Sequence, residues 1–369
     1  MRAYTAAVLL ASALLSACGT GADAEIAASV AVALVEEMRI GQADGGPAAF
    51  GRVTALEAAP DGSIVVADGM ANEIRVFGRD GRHRRTFGGK GAGPGEFLMI
   101  SGLSWGPNQQ LWIMDPLGLR LSAFDTTGRF LGSQSREFSL AVTIPWAGRL
   151  DERGRIYDLT AAPASGSSTP EKRIVRYLAG EDGRLVGQDT FPIPDFPTPF
   201  TERLTADGIT LRSTVPFAPS LRWRIAPDGS IWIGSTLHGR LARVTMDGDT
   251  VAELRLTRPS VSVTGAERDS AAEAEGMPAR EIPDRKPAVR AFFVDDAGRV
   301  WVAPHLPAGA GTEWDVFSPD GSPAGTVRTD LAVELDSPVP IVRGDMLYGV
   351  VRDELDVPSV VRFRIPPLR

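Results

Sequence analysis

The chain carries three histidines, His83, His238 and His305, and a single cysteine, Cys18. Imidazole ligands of a zinc site must share one coordination sphere, and these three stand far apart in sequence with no short ligand spacing between them. Asp68, Asp115 and Asp158 lie in or at the ends of short apolar runs. With His238 or His305 they form the one set that could hold a calcium or zinc ion, and so support a metal-dependent hydrolase or lyase. No serine is read as sitting in a nucleophile-elbow pattern. Gly91-Ala92-Gly93-Pro94-Gly95 is glycine-rich, but Pro94 removes a donor and no helix follows, so it reads as a loop rather than a phosphate cradle.

The elements that must position these groups follow from a repeat. Met38-Arg39-Ile40-Gly41 leads to Phe50 and then Asp61-Gly62, while Arg85-Thr86-Phe87-Gly88 leads to Phe97 and then Asn108-Gln109. In both copies the first glycine precedes the phenylalanine by nine residues and the turn glycine, or its stand-in Gln109, by 21. The register holds over a unit of 47 residues, a period that marks a repeat architecture.

Six units follow, each with a second strand whose third residue after the turn is large or branched: Val65, Trp112, Tyr157, Trp232, Trp301 and Tyr348. In a radial array of small sheets this position packs between neighbours, so the rings read as core rather than as a stacking platform. Third and fourth strands are joined at Asp80-Gly81, Thr127-Gly128, Asp182-Gly183, Asp247-Gly248 and Asp320-Gly321. Asp-Gly there predicts hairpins with both central residues at positive φ. The sixth unit ends at Val360–Ile365 without an outer strand, and the segment around Glu37–Gly41 is available to supply it. The predicted fold is therefore all-β, a six-bladed β-propeller over 35–369 closed by strands from both termini.

The N-terminus gives an address. Arg2 precedes an apolar run from Ala6 to Leu15, too short to span a bilayer, and then Ser16-Ala17-Cys18. This pattern resembles a bacterial lipoprotein signal, with 1–17 as signal peptide, 18–34 as anchor and linker, and Cys18 as the lipidated residue. Each buried methylene contributes about 0.8 kcal/mol, so several acyl chains hold a domain firmly on a membrane. Gly19 after the cysteine favours the outer membrane of the cell envelope over inner-membrane retention. Without further cysteines the domain rests on its core. The net charge is −7 and no basic stripe is interleaved with aromatics, which excludes a nucleic-acid partner.

Asp61–Asp68, Asn72–Phe77, Asp80-Gly81, Phe87-Gly88 and Gly91–Phe97 together resemble an NHL repeat, and the whole chain is similar to bacterial six-bladed β-propeller proteins. That resemblance implies a fold. Related propellers include lactonases and lyases with calcium or zinc in the central channel. Here Asp68 and Asp115 end second strands in neighbouring units, but the corresponding positions elsewhere are Thr160, Ser235 and Pro304, so no ring of ligands is evident. Asp68 reads as satisfying backbone amides in its turn, as the NHL pattern suggests.

Long segments fall at 161–172, 191–220, 257–288, 304–311 and 352–358, all on the propeller face that carries second-to-third-strand turns and blade-to-blade connections. Insertions gathered on one face mark a binding face. Within one of them, Thr264 and Glu267 form a capping-box pattern before Ala266–Glu275, closed by Gly276 and Pro278, which predicts a short acidic helix. The reading is a non-catalytic, membrane-tethered propeller that needs no cofactor. It offers Asn72, Arg120, His238, Arg240, His305, Arg352, Asp353 and Asp356 to an envelope protein, peptide or glycan.

Overall fold

A computed structural model describes residues 31–43, 45–137, 139, 145–162, 171–194, 196, 200–204 and 210–368. Cys18 and the signal segment lie outside the described residues. Two N-terminal strands, β1 (Val32–Ala33) and β2 (Val35–Ile40), precede the blades. Blade 1 is β3 (Val53–Ala58), β4 (Ile64–Asp68), β5 (Glu73–Phe77) and β6 (His83–Gly88). Blade 2 is β7 (Gly102–Trp105), β8 (Leu111–Asp115), β9 (Arg120–Phe124) and β10 (Phe130–Ser135). Blade 3 is β11 (Arg149–Leu150), β12 (Ile156–Ala162), β13 (Glu171–Ala179) and β14 (Leu185–Pro192), followed by a separate hairpin of β15 (Phe200–Leu204) and β16 (Thr210–Thr214).

Blade 4 is β17 (Leu221–Ile225), β18 (Ile231–Ser235), β19 (Arg240–Val244) and β20 (Thr250–Arg255), and helix α1 (Gly265–Glu275) follows it. Blade 5 is β21 (Val289–Val294), β22 (Val300–Pro304), β23 (Thr312–Phe317) and β24 (Pro323–Thr329). Blade 6 takes β25 (Ile341–Arg343), β26 (Met346–Arg352) and β27 (Pro358–Arg364) from the C-terminus, with β2 as its outer strand, Val35 opposite Arg364 and Ile40 opposite Val360. The six-bladed propeller and its closure by both termini are thus as the repeat requires.

Closure goes one step further than the sequence suggested. β1 lies parallel to β24, with Val32 opposite Val327 and Ala33 opposite Arg328, so the N-terminal segment covers the outer edge of blade 5 before crossing to blade 6. Strand pairing therefore starts ahead of the boundary read at residue 35, and two edges that would otherwise be open are paired.

Why the ring holds is visible in six apolar clusters, each shared by two neighbouring blades. Val65 and Ile74 of blade 1 meet Leu103 and Ile113 of blade 2. Met114 and Leu121 then meet Leu150 and Ile156, Tyr157 and Ile174 meet Trp223 and Ile231, and Trp232 and Leu241 meet Phe292 and Val300. Trp301 and Trp314 meet Leu347 and Phe363, and Tyr348 and Val350 return to Leu56 and Val66. All six residues at the aromatic register, from Val65 to Tyr348, are buried, so their role is packing between blades.

The spacing of the repeat also acquires a physical cause. In blade 1 the Asp68 carboxylate accepts the N–H groups of Gly51 (3.0 Å) and Arg52 (3.2 Å), the first and second residues after Phe50, and that of Met70 (3.1 Å). In blade 2 Asp115 accepts from Leu98 (3.0 Å) and Met99 (3.1 Å), the first and second residues after Phe97, and from Gly118 (2.8 Å). A guanidinium from the third strand completes each latch. Arg75 donates to Ala49 O (2.6 Å) and Arg120 to Glu96 O (2.8 Å), the carbonyls just before those phenylalanines. The conserved distance between phenylalanine and aspartate in the two units is the distance that lets one carboxylate reach across the entry to its blade.

Turn chemistry differs from expectation in one respect. The glycines of the five Asp-Gly or Thr-Gly turns take φ between 75° and 93°, but the residue before each does not. The ladder shifts by one residue at every one of these hairpins. They are turns ending in a left-handed glycine and a bulge, and the aspartate acts instead through its side chain, as where Asp80 Oδ1 accepts from Arg82 N at 3.1 Å. Gln109 takes φ 54°, the left-handed conformation that Gly62 takes at 81°.

Candidate functional site

The carboxylates considered as metal ligands are engaged by the protein itself. Asp68 and Asp115 are fully buried, and besides the amides above Asp68 pairs with Arg75 at 3.1 Å, while Arg120 lies 3.8 Å from Asp115. Asp158, one pleat deeper in its blade, pairs with Arg136 (2.8 Å) and accepts the Trp146 indole N–H (3.0 Å). Burial pushes its carboxyl up, against the pull of Arg136. A cation at these positions would have to displace backbone amides and guanidinium groups. Among the described residues no three His, Cys, Asp or Glu side chains are grouped as metal ligands would be.

The histidines are dispersed. His83 opens the outer strand of blade 1 and contacts Thr86 Oγ1 at 2.9 Å, and His238 is exposed in the second-to-third-strand turn of blade 4. His305 is half-buried beside Phe217. Contrary to the sequence reading, one serine does have the Gly-x-Ser-x-Gly spacing of a nucleophile elbow, in Gly102-Leu103-Ser104-Trp105-Gly106. This segment is an inner strand, however, and Ser104 is buried with Oγ accepting from Leu150 N at 2.9 Å.

Several polar residues proposed as contacts hold loops together. Asn72 is buried at φ 53° and its side-chain amide faces Leu98 O. Arg120 also donates to Ala92 O and Gly93 O of the glycine-rich loop. Asp353 caps its own turn through Leu355 N and Val357 N, both at 2.9 Å, and Arg352 pairs with Glu334 and Asp356. Arg240 pairs with Glu253 at 2.6 Å on the rim.

What sequence reading missed on this face is apolar. Met70, Leu117 and Leu237 each stand two residues past the end of the second strand, in blades 1, 2 and 4, and Leu355 occupies the longer turn of blade 6. They are 76 %, 61 %, 44 % and 82 % exposed. Leu98, in the connection between blades 1 and 2, adds a fifth on the same face. Leu306 holds the corresponding position in blade 5, half-buried. The signal was present in the sequence, as a large aliphatic residue recurring at one repeat position outside any strand.

Three of the long segments converge beside this crown. Val215 from the 191–220 segment packs with Val263, Ala272, Met277 and Ile282 of the 257–288 segment in a small core of its own. The helix forms as its capping box dictates, with Thr264 Oγ1 accepting from Glu267 N and Gly276 closing it at φ 63°. Glu267 has a second task. Its Oε2 accepts from Thr264 N (2.9 Å) while Oε1 pairs with buried Lys286 (2.5 Å), which also donates to Leu306 O and lies 5.5 Å from the Phe217 ring centre. The helix is thereby anchored to blade 5 rather than free in solvent. Beneath it lies a cavity of about 310 Å³ bounded by Phe217, Lys286, Arg290, His305 and the Pro307–Gly311 loop. Burial, with Arg290 and Lys286 nearby, lowers the His305 imidazole to about 4, so it is neutral at physiological pH.

A second cavity, about 170 Å³, is the central channel, lined by residues of all six inner strands.

A family model described as a 6-bladed beta-propeller matches residues 49–158, which comprise blade 1, blade 2 and the start of blade 3. No curated protein matches the sequence. Similar solved structures include virginiamycin B lyase from Staphylococcus aureus, at 12% identity over 85% of this chain and 95% of that one, with a TM-score of 0.45. An exported protein from Bacteroides fragilis has 11% identity over 90% and 94%, with a TM-score of 0.48. Regucalcin from Agrobacterium tumefaciens, a calcium-binding protein, has 14% identity over 92% and 98%, with a TM-score of 0.41. Likeness at this level carries no residue and no activity across. The chain is a six-bladed β-propeller, and its likeness in sequence to other such propellers resides in its first blades.

Proposed function

We propose that this chain is a non-catalytic binding protein, tethered to the bacterial cell envelope through a lipid on Cys18, that engages a polypeptide partner with its long-loop face. The carrying observation is the crown of exposed aliphatic residues, Met70, Leu117, Leu237 and Leu355, on the turns of four blades of that face. Single exposed apolar side chains are ordinary on soluble proteins, but their recurrence at the turns of one face is the pattern of a contact surface. Aliphatic tips suit the apolar surface of a protein or peptide. A glycan is met by aromatic rings that stack on sugar faces, and the crown has none. The anchored helix module and its cavity stand beside the crown and enlarge the same face.

Replacing Met70, Leu117, Leu237 and Leu355 together by serine tests this reading. Purification of tagged protein from cross-linked host cells is expected to recover a partner in fixed proportion with the natural sequence and to lose it with the quadruple variant. Recovery of the propeller alone, or equal recovery of the partner with both proteins, would overturn it.

A further inference from the structure

The channel carries a second, independent feature. Arg149 of blade 3 and Arg224 of blade 4 occupy the same inner-strand position, next to last before the turn, and Arg343 ends the inner strand of blade 6. All three line the 170 Å³ cavity together with Glu57, which holds the matching position in blade 1, and Asp296 in the turn of blade 5. Inner strands run from the long-loop face toward the short turns, so these charges gather at the short-turn end of the channel. Exposed Asp296 sits at its mouth.

No carboxylate lies within ion-pair distance of these three guanidinium groups among the described residues. Arg149 Nε donates to the Leu150 carbonyl (3.3 Å) and Arg224 to that of Trp223 (2.8 Å). Asp296 is engaged by Gly344 N. Other buried guanidinium groups, such as those of Arg75, Arg120 and Arg136, are held by carboxylates or several carbonyls. The indole N–H of Trp105, a residue that also lines the cavity, has no hydrogen-bond partner among the described residues.

We propose that the short-turn end of the channel binds a small oxyanion, a carboxylate or a phosphate or sulfate group, between Arg149, Arg224 and Arg343. Guanidinium forks match such groups in geometry, and the walls of a partly buried cavity strengthen each contact. Burial draws Arg149 down and Arg224 to about 10, and a guanidinium group keeps its charge at neutral pH in a protein. Glu57 opposes the anion. Burial lifts its carboxyl to about 7, against Arg149 and Arg343, while Asp296 adds to the rise. Arg224 faces the same lumen from blade 4, and blade 2 contributes only neutral groups there. As pH rises through 7 the carboxylate forms, and affinity for an oxyanion falls.

Calorimetric titration of the full propeller with sulfate and with succinate, at constant ionic strength, tests this. Saturable one-site binding is expected for the natural sequence. Arg149→Met and Arg343→Met are each expected to weaken it by about tenfold or more. Sulfate keeps its charge between about pH 6 and about pH 8, so the affinity drop over that range reports Glu57 and vanishes in Glu57→Gln. Absence of saturable binding, or binding that survives both arginine substitutions as an adventitious surface ion would, overturns the proposal. Should the methionine variants not fold, an unchanged pH profile in Glu57→Gln overturns it equally.

Discussion

Replacing Asp68 by alanine should destabilise the propeller by about 3–4 kcal/mol, because its carboxylate is a structural latch. The group is 1 % exposed, accepts three backbone N–H groups at 3.0, 3.2 and 3.1 Å, and pairs with Arg75 at 3.1 Å. Alanine leaves three buried donors without an acceptor, each costing about 1 kcal/mol or more, and removes the partner of a mostly buried guanidinium. Arg75 keeps Glu73 and the Ala49 carbonyl, which limits the loss to the lower part of the buried-pair range. With a urea dependence of about 3 kcal/mol per molar for a domain of this size, the unfolding midpoint should fall by about 1–1.5 M. Tryptophan fluorescence follows the transition. The shift is expected to be the same in EDTA and in calcium or zinc, and Asp115→Ala should behave alike. If chelation lowers the midpoint of the natural protein as far as the substitution does, and leaves the variant unchanged, the carboxylates are metal ligands and the latch is refuted.

Three further outcomes follow from other parts of the molecule. Gln109→Gly should stabilise by about 0.5–1 kcal/mol, read as a rise in melting temperature, because Gln109 holds a left-handed φ of 54° that glycine adopts without strain. For His305 the folded value of about 4 lies below the ordinary one near 6.5, so the neutral ring's contribution is present above about 6.5 and lost as pH falls through about 4. His305→Gln should therefore remove about 2–3 kcal/mol of acid sensitivity over that window, measured by urea unfolding at several pH values. Deleting residues up to Ile40 removes the partner strands of β27 and β24, and sedimentation should show self-association through the opened edges.

Much of the architecture was legible because the repeat is stated twice in nearly the same residues. Phe50 and Phe97, each followed by a latching aspartate, set the register, and the branched or aromatic position from Val65 to Tyr348 marked the packing between blades. The capping box of Thr264 and Glu267 fixed the helix, though nothing local showed that Glu267 also meets Lys286, because that contact joins segments 19 residues apart. The parallel pairing of β1 escaped notice for a related reason: two residues carry no periodicity.

The site was less legible. Polar type alone led to Asn72, Arg120 and Asp353, whose hydrogen bonds turn inward to their own loops. The crown and the channel arginines are scattered along the chain and meet only through the ring. The arginines come from blades 3, 4 and 6, far apart in sequence.

Site-specific photo-cross-linking in host cells tests the binding face most directly, with a photoreactive residue at Leu117 or Leu355 on the long-loop face and, as control, at Asp80 in a short turn of the opposite face. A discrete polypeptide adduct from Leu117 and Leu355, absent from Asp80, is the expected result. Adducts of equal yield from both faces, or none from either crown position, would contradict the reading of this propeller as a polypeptide-binding protein that works through one face.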